Sequence, residues 1–137
     1  MWSRERRGIL NRTFMLPQIR EKRIEPDITV VELAGRLARG RESQRFEALI
    51  GELFRKGELR VILDMTRVDY MDSAGAGLIA LAAGKLAEND GELVLVAPEG
   101  RALELLKLTR LPAIVKVCPT VGEAADVFPP PPPLEAA

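Results

Sequence analysis

The chain has 137 residues, one cysteine, no histidine and a formal net charge of zero at pH 7. Those counts exclude an internal disulfide, a Ser-His-Asp triad, a Cys-His dyad and a histidine-based zinc site. With a pI near 6.4, the chain as a whole carries no nucleic-acid signature.

Hydrophobic residues make up 47 % of the sequence, enough for one core at this length, so one domain is expected. The charge is uneven. Residues 1–23 hold seven Lys/Arg against Glu5 and Glu21, a local net of +5, which leaves −5 for the rest. Residues 1–16 lack periodicity and read as a basic N-terminal extension, disordered or a misassigned start, since Met15 offers a second one. No apolar run approaches the ~20 residues of a membrane span, and no signal-peptide pattern opens the chain. The expectation is a cytoplasmic protein with no direct membrane insertion.

The first elements follow. About Gln18–Glu25 and Ile28–Ala34 read as two strands joined through Pro26-Asp27, an antiparallel hairpin. Phe46, Leu49, Ile50, Leu53 and Phe54 recur at i, i+3, i+4, i+7, i+8, one face of an amphipathic helix that Gly57 would stop. Val61-Ile-Leu63 is a short apolar run suited to a central strand, and an acidic turn from Asp64 to Asp72 is expected after it.

Ala74 to about Glu88 reads as a second helix, ended by Asn89-Asp90-Gly91. Leu93–Ala97 is a buried strand, Glu99–Leu108 a third helix broken by Pro112, and Ile114–Val117 a short strand. Thr120 and Glu123 have capping-box spacing and open a last helix through Phe128. Five prolines from Pro129 then start a tail, residues 129–137, that reads as polyproline II. The order β-β-α-β-α-β-α-β-α implies an α/β fold: a mixed four- to five-stranded sheet, about four helices, and parallel pairs beyond the first hairpin.

Several sites fail on spacing. The glycines around Gly84-Lys85 miss the phosphate-loop pattern, and Ala80 stands where a dinucleotide fingerprint needs a third glycine. Asp64, Asp69 and Asp72 invite a Mg²⁺ reading, but the other parts of a phosphoacceptor site are missing. Turn and cap hydrogen bonds are the better assignment.

Asp72-Ser73 is the chemically informative pair. Either residue suits an N-cap, and a hydroxyl there is exposed beside helix-end amides. Ala74, Gly75, Ala76 and Gly77 leave that first turn almost bare, which suits close approach by another surface or tight packing on the sheet. A phosphoryl group would be tolerated there without melting the helix, so a docking partner would feel it most.

At Val61-Ile-Leu-Asp64 and Asp72-Ser-Ala-Gly-Ala-Gly77 the sequence resembles the STAS-domain family, specifically the bacterial anti-sigma factor antagonists. Gly91–Val96 and Leu103–Leu111 add to the resemblance, which covers about residues 27–128 within a domain drawn as 17–128. It implies a STAS-like fold and a binding switch without catalysis or cofactor. The partner would be an anti-sigma factor of the serine-kinase type. Phosphorylation of Ser73 would block binding, and a PP2C-type phosphatase would restore it.

The docking face implied is Asp72, Ser73, Ala74, Gly75, Ala76 and Gly77, with Arg36 and Glu42 from the segment after the second strand. The sequence departs from the family in three places. Gly35-Arg36-Leu37-Ala38 lacks the aspartate that many members carry after the leucine, unless Glu42 substitutes. Ala76 replaces a usual leucine, and Arg110 stands where glycine is common. The missing aspartate motivates an alternative, a STAS scaffold subunit of a signalling assembly or lipid-transport complex. Thr66 is a weaker phosphorylation candidate.

Overall fold

The computed structural model of the chain describes residues 19–25 and 27–128. The basic segment 1–16, Pro26 of the expected hairpin turn, and the proline run from 129 lie outside the described residues.

Strands β1 (Ile19–Glu25), β2 (Ile28–Leu37), β3 (Arg60–Met71), β4 (Glu92–Val96) and β5 (Lys116–Cys118) form one sheet in the order β1-β2-β3-β4-β5. The β1–β2 pair is antiparallel and the other three are parallel, as the alternating pattern implies. Helices α1 (Arg41–Arg55), α2 (Ser73–Glu88), α3 (Arg101–Thr109) and α4 (Val121–Ala125) follow β2, β3, β4 and β5 in turn.

Sequential strands that are also spatial neighbours force crossovers of one hand onto one face. Accordingly α1, α2 and α3 share a core with Val31, Leu33, Val61, Leu63, Met65 and Leu95. The opposite face buries Ile28, Val30, Ile62, Val94 and Val96 under Ala124 and Phe128. Strand β3 feeds both layers because its side chains alternate: Val61 and Leu63 face the three helices, and Ile62 faces α4.

The α1 pattern reads through directly. Phe46, Ile50 and Leu53 are buried, Leu49 and Phe54 half-buried, and Gly57 sits at φ +77° just past the helix, where an L side chain would be strained.

The main difference from expectation is the acidic turn. Residues 64–71 are strand, paired with β2 as far as Leu37↔Met71. Between Glu32↔Asp64 and Leu37↔Met71, β2 advances five residues and β3 seven, so β3 carries two extra residues at two register shifts. Each bulge resets the period-2 alternation, and the segment therefore does not look like a strand in the sequence. At the first bulge, Asp64 Oδ1 accepts from the Thr66 N–H (3.0 Å) and the Thr66 hydroxyl (2.6 Å).

The C-terminal elements shift slightly. A 3-10 turn at Leu111–Ala113 takes up Pro112 and delays β5 to Lys116. Thr120 caps α4 through the Glu123 N–H (3.1 Å), but regular helix stops at Ala125.

Candidate functional site at the start of the second helix

The long β3 ends at Met71 and hands directly to α2, so strand geometry fixes where Ser73 appears. Asp72 is the N-cap, in extended conformation, and Ser73 is the first helical residue. The Asp72 side chain accepts from the Gly75 N–H at 2.9 Å, satisfying one otherwise orphaned donor of the first turn. Its second oxygen accepts from the Arg39 N–H at 3.0 Å, across 33 residues of sequence. These two backbone donors, first Arg39 and then Gly75, hold the Asp72 carboxyl below the ordinary carboxylate range, and the nearby Arg39 charge adds to the effect.

Ser73 is exposed, with Gly77 and Leu81 following it at i+4 and i+8 on the outer stripe of α2. The two glycines of the motif have different surroundings. A Cβ on Gly75 would lie 2.2 Å from the Leu37 carbonyl oxygen, so α2 rests directly on the end of β2. A Cβ on Gly77 would meet nothing within 4 Å. Tight packing accounts for the first glycine and leaves the second to an open surface. Ala74 and Ala76 are half-buried on either side.

Arg36 reaches the same end of the sheet from β2. Its guanidinium stacks 4.4 Å from the centre of the Tyr70 ring, its register neighbour on β3. Alternation puts this pair on the sheet face opposite Leu37 and Met71. The Glu42 backbone belongs to the first turn of α1, but its side chain lies outside what the structure describes.

Sequence reasoning missed two features. One is Arg39, which reaches Asp72 through its main-chain N–H, a contact that no side-chain pattern announces. The other is an apolar groove of about 80 Å³ between α1 and α2, lined by Phe46, Ile50, Phe54, Leu78, Leu81 and Lys85. Its signal was present in Leu81, an apolar residue on the outer stripe of α2 that is 56 % exposed.

The acidic residues do not assemble a metal site. Asp64 lies within β3 and Asp72 just past its end; with the two bulges between them the separation is that of about six strand steps, roughly 20 Å. Among the described residues no three metal-ligating side chains cluster. No helix of the described residues is long and apolar enough to cross a membrane.

The structure thus presents an exposed serine at a strand-to-helix junction, beside an open helix surface. The chain belongs to the STAS-domain family, whose profile matches residues 20–124. Its relatives within that family include several anti-sigma factor antagonists and, at 38 % identity over 71 residues, sulfate transporter 2.2 of Arabidopsis thaliana, a match spanning 50 % of this chain and 10 % of that protein.

It is 34 % identical over 86 residues to the candidate anti-sigma factor antagonist BtrV of Bordetella bronchiseptica, a match spanning 63 % of this chain and 74 % of that protein. The crystal structure of a candidate anti-sigma factor antagonist from Thermotoga maritima superposes with a TM-score of 0.69 at 25 % identity, covering 78 % of this chain and 91 % of that one. The Bacillus cell fate determinant SpoIIAA in its phosphorylated form shares the fold. Its TM-score is 0.61 at 22 % identity, with 80 % of this chain and 97 % of that one covered.

Proposed function

We propose that this protein is an anti-sigma factor antagonist whose binding is switched by phosphorylation of Ser73. One observation carries the reading: Ser73 is exposed at the first position of α2, with its outer neighbour Gly77 open to solvent. A phosphorylated form of a protein sharing the fold supports it.

In the unmodified state the bare first turn and the stripe through Leu81 meet an anti-sigma factor of the serine-kinase type, and the sigma factor is released. Arg36, held by Tyr70, lies at the same end of the sheet but on its opposite face, so a partner reaches it only by wrapping past the end of β2 and β3. For modification, the kinase draws the proton from Ser73 Oγ. The oxygen then bonds to the γ-phosphorus of a nucleoside triphosphate, the β–γ bond breaks and the diphosphate leaves. A PP2C-type phosphatase reverses this with water, releasing inorganic phosphate and restoring the hydroxyl.

The phosphoryl group brings about −1.5 to −2 charge at pH 7. Helix-end amides accommodate that charge in the free protein. At a closed interface it must be desolvated beside the partner's surface, which costs several kcal/mol.

The test is incubation with the cognate anti-sigma kinase and a nucleoside triphosphate, phosphate mapping by mass spectrometry, and titration of the anti-sigma factor against wild type, Ser73→Ala and Ser73→Asp. Phosphate on Ser73, with binding weakened at least about tenfold in Ser73→Asp, is the expected result. Phosphate elsewhere, or unchanged binding by Ser73→Asp, overturns the switch. Recovery of transport or scaffold subunits with no anti-sigma factor in a pull-down favours the scaffold reading instead.

A further inference from the structure

The entry to α1 and the entry to α2 are fastened to each other at three points. The Asp72 N–H donates to the Leu37 carbonyl (3.4 Å), Gly75 packs against that same carbonyl, and Asp72 Oδ2 accepts from the Arg39 N–H (3.0 Å). Just beyond Arg39, Gly40 is the N-cap of α1. Its N–H donates to Ser43 Oγ (3.1 Å) and its carbonyl accepts from the Ser43 hydroxyl (2.9 Å). The turn at Arg39-Gly40 is thus tied on one side to α1 and on the other, through one carboxylate, to the residue preceding Ser73.

The two oxygens of Asp72 have separate tasks. Oδ1 caps α2 through Gly75 and Oδ2 holds the turn. Only the second contact links distant parts of the chain. A carboxylate accepts both bonds at once because it is ionised, and the two donors favour that state.

We propose that Asp72 is a positioning residue, a clasp that holds the β2–α1 turn against α2, and that a phosphoryl group on Ser73 opens it. The proposal rests on the reading of Ser73 as the modified residue. The physical ground is competition. A dianion on the adjacent side chain repels the Asp72 carboxylate and seeks the same helix-end amides, Gly75 included. The carboxylate is driven from its present geometry, and the Arg39 N–H loses its acceptor. Phosphorylation then acts twice on a docking partner, through charge at Ser73 and through release of the turn that leads into α1.

The coupling is measurable without kinase or partner, so it stands or falls separately from the antagonist reading. Phosphoserine is installed at position 73 by genetic code expansion, and amide hydrogen exchange at Arg39 and Gly75 is followed by NMR, with spectral dispersion confirming the fold. In the unmodified chain the Arg39 N–H exchanges about tenfold more slowly than in Asp72→Ser, whose hydroxyl still caps Gly75 but is too short to hold the turn as well.

Phosphoserine accelerates Arg39 exchange by a similar factor in the chain with Asp72 and has no such effect in Asp72→Ser. Asp72→Asn, which preserves shape without charge, gives an intermediate rate. A merely structural cap would not produce this dependence of the phosphoserine effect on residue 72. Equal Arg39 exchange with and without phosphoserine overturns the proposal, as does equal exchange in the unmodified chain and Asp72→Ser.

Discussion

The inner and outer flanks of α2 carry the same small residues for opposite reasons. On the inner flank Gly75 is buried against the Leu37 carbonyl, and no side chain fits. On the outer flank Gly77 follows Ser73 in open space. A stretch that reads in sequence as one bare surface is half packing requirement and half exposed face. Position by position, glycine is explained by what its missing Cβ would touch, and the outer flank is where a partner has room.

The largest expected effect breaks the inner flank. Gly75→Ala drives a Cβ into main-chain atoms that cannot rotate away, so α2 must lift from β2. A loss of about 2–3 kcal/mol is expected in urea unfolding. A midpoint unchanged from wild type would mean that α2 is not seated on Leu37.

The next effect reads the junction through pH. Asp72 has its carboxyl pKa lowered in the folded chain, by Arg39 and Gly75 first. A lowered folded value gives stability that is fully present above the unfolded pKa and is lost as pH falls through the folded one. The contribution is therefore constant from pH 7 to 5 and disappears below about pH 4. Urea midpoints at pH 7, 5 and 3 should fall more steeply at the acid end for wild type than for Asp72→Asn. Parallel curves would remove Asp72 from the acid response.

Much of the molecule was legible because its patterns are local. The α1 face, the Gly57 stop and the Asn89-Asp90-Gly91 turn each depend on a few adjacent residues. The Asp72-Ser73 start of α2 was legible for the same reason, and the structure divides the two residues into cap and first helical position. Residues 64–71 were not legible, since two bulges interrupt the alternation that marks a strand. Nor was the tie between Asp72 and Arg39, which a main-chain donor makes across the fold. Local period reveals elements, whereas register and main-chain contacts appear only when the elements meet.

The outer flank gives a smaller effect of opposite sign to that at Gly75. Gly77 is in mid-helix with no neighbour within 4 Å, so Gly77→Ala should stabilise by about 0.5–1 kcal/mol through reduced chain entropy. A destabilised Gly77→Ala would place an unseen contact on that flank and end the contrast with Gly75.

Arg110 supplies an equally small but more discriminating case, because there the backbone asks for glycine and does not have it. The residue ends α3 with φ 65° and ψ 16°, in the left-handed region, its N–H donating to the Lys107 carbonyl. An L residue there carries roughly 1–2 kcal/mol of strain from its Cβ. Glycine removes the strain but returns about 0.4–1 kcal/mol to the unfolded chain as entropy. Arg110→Gly should therefore exceed Arg110→Ala in stability by about 0.5–1 kcal/mol, the balance of those terms. At position 77 alanine is the better of the same two residues; at position 110 glycine is. If unfolding midpoints rank alanine above glycine at both sites, backbone conformation is not what distinguishes them. A reversal between the sites would show that Gly77 answers no conformational or packing demand within the chain, which is what the proposed docking role of that flank requires.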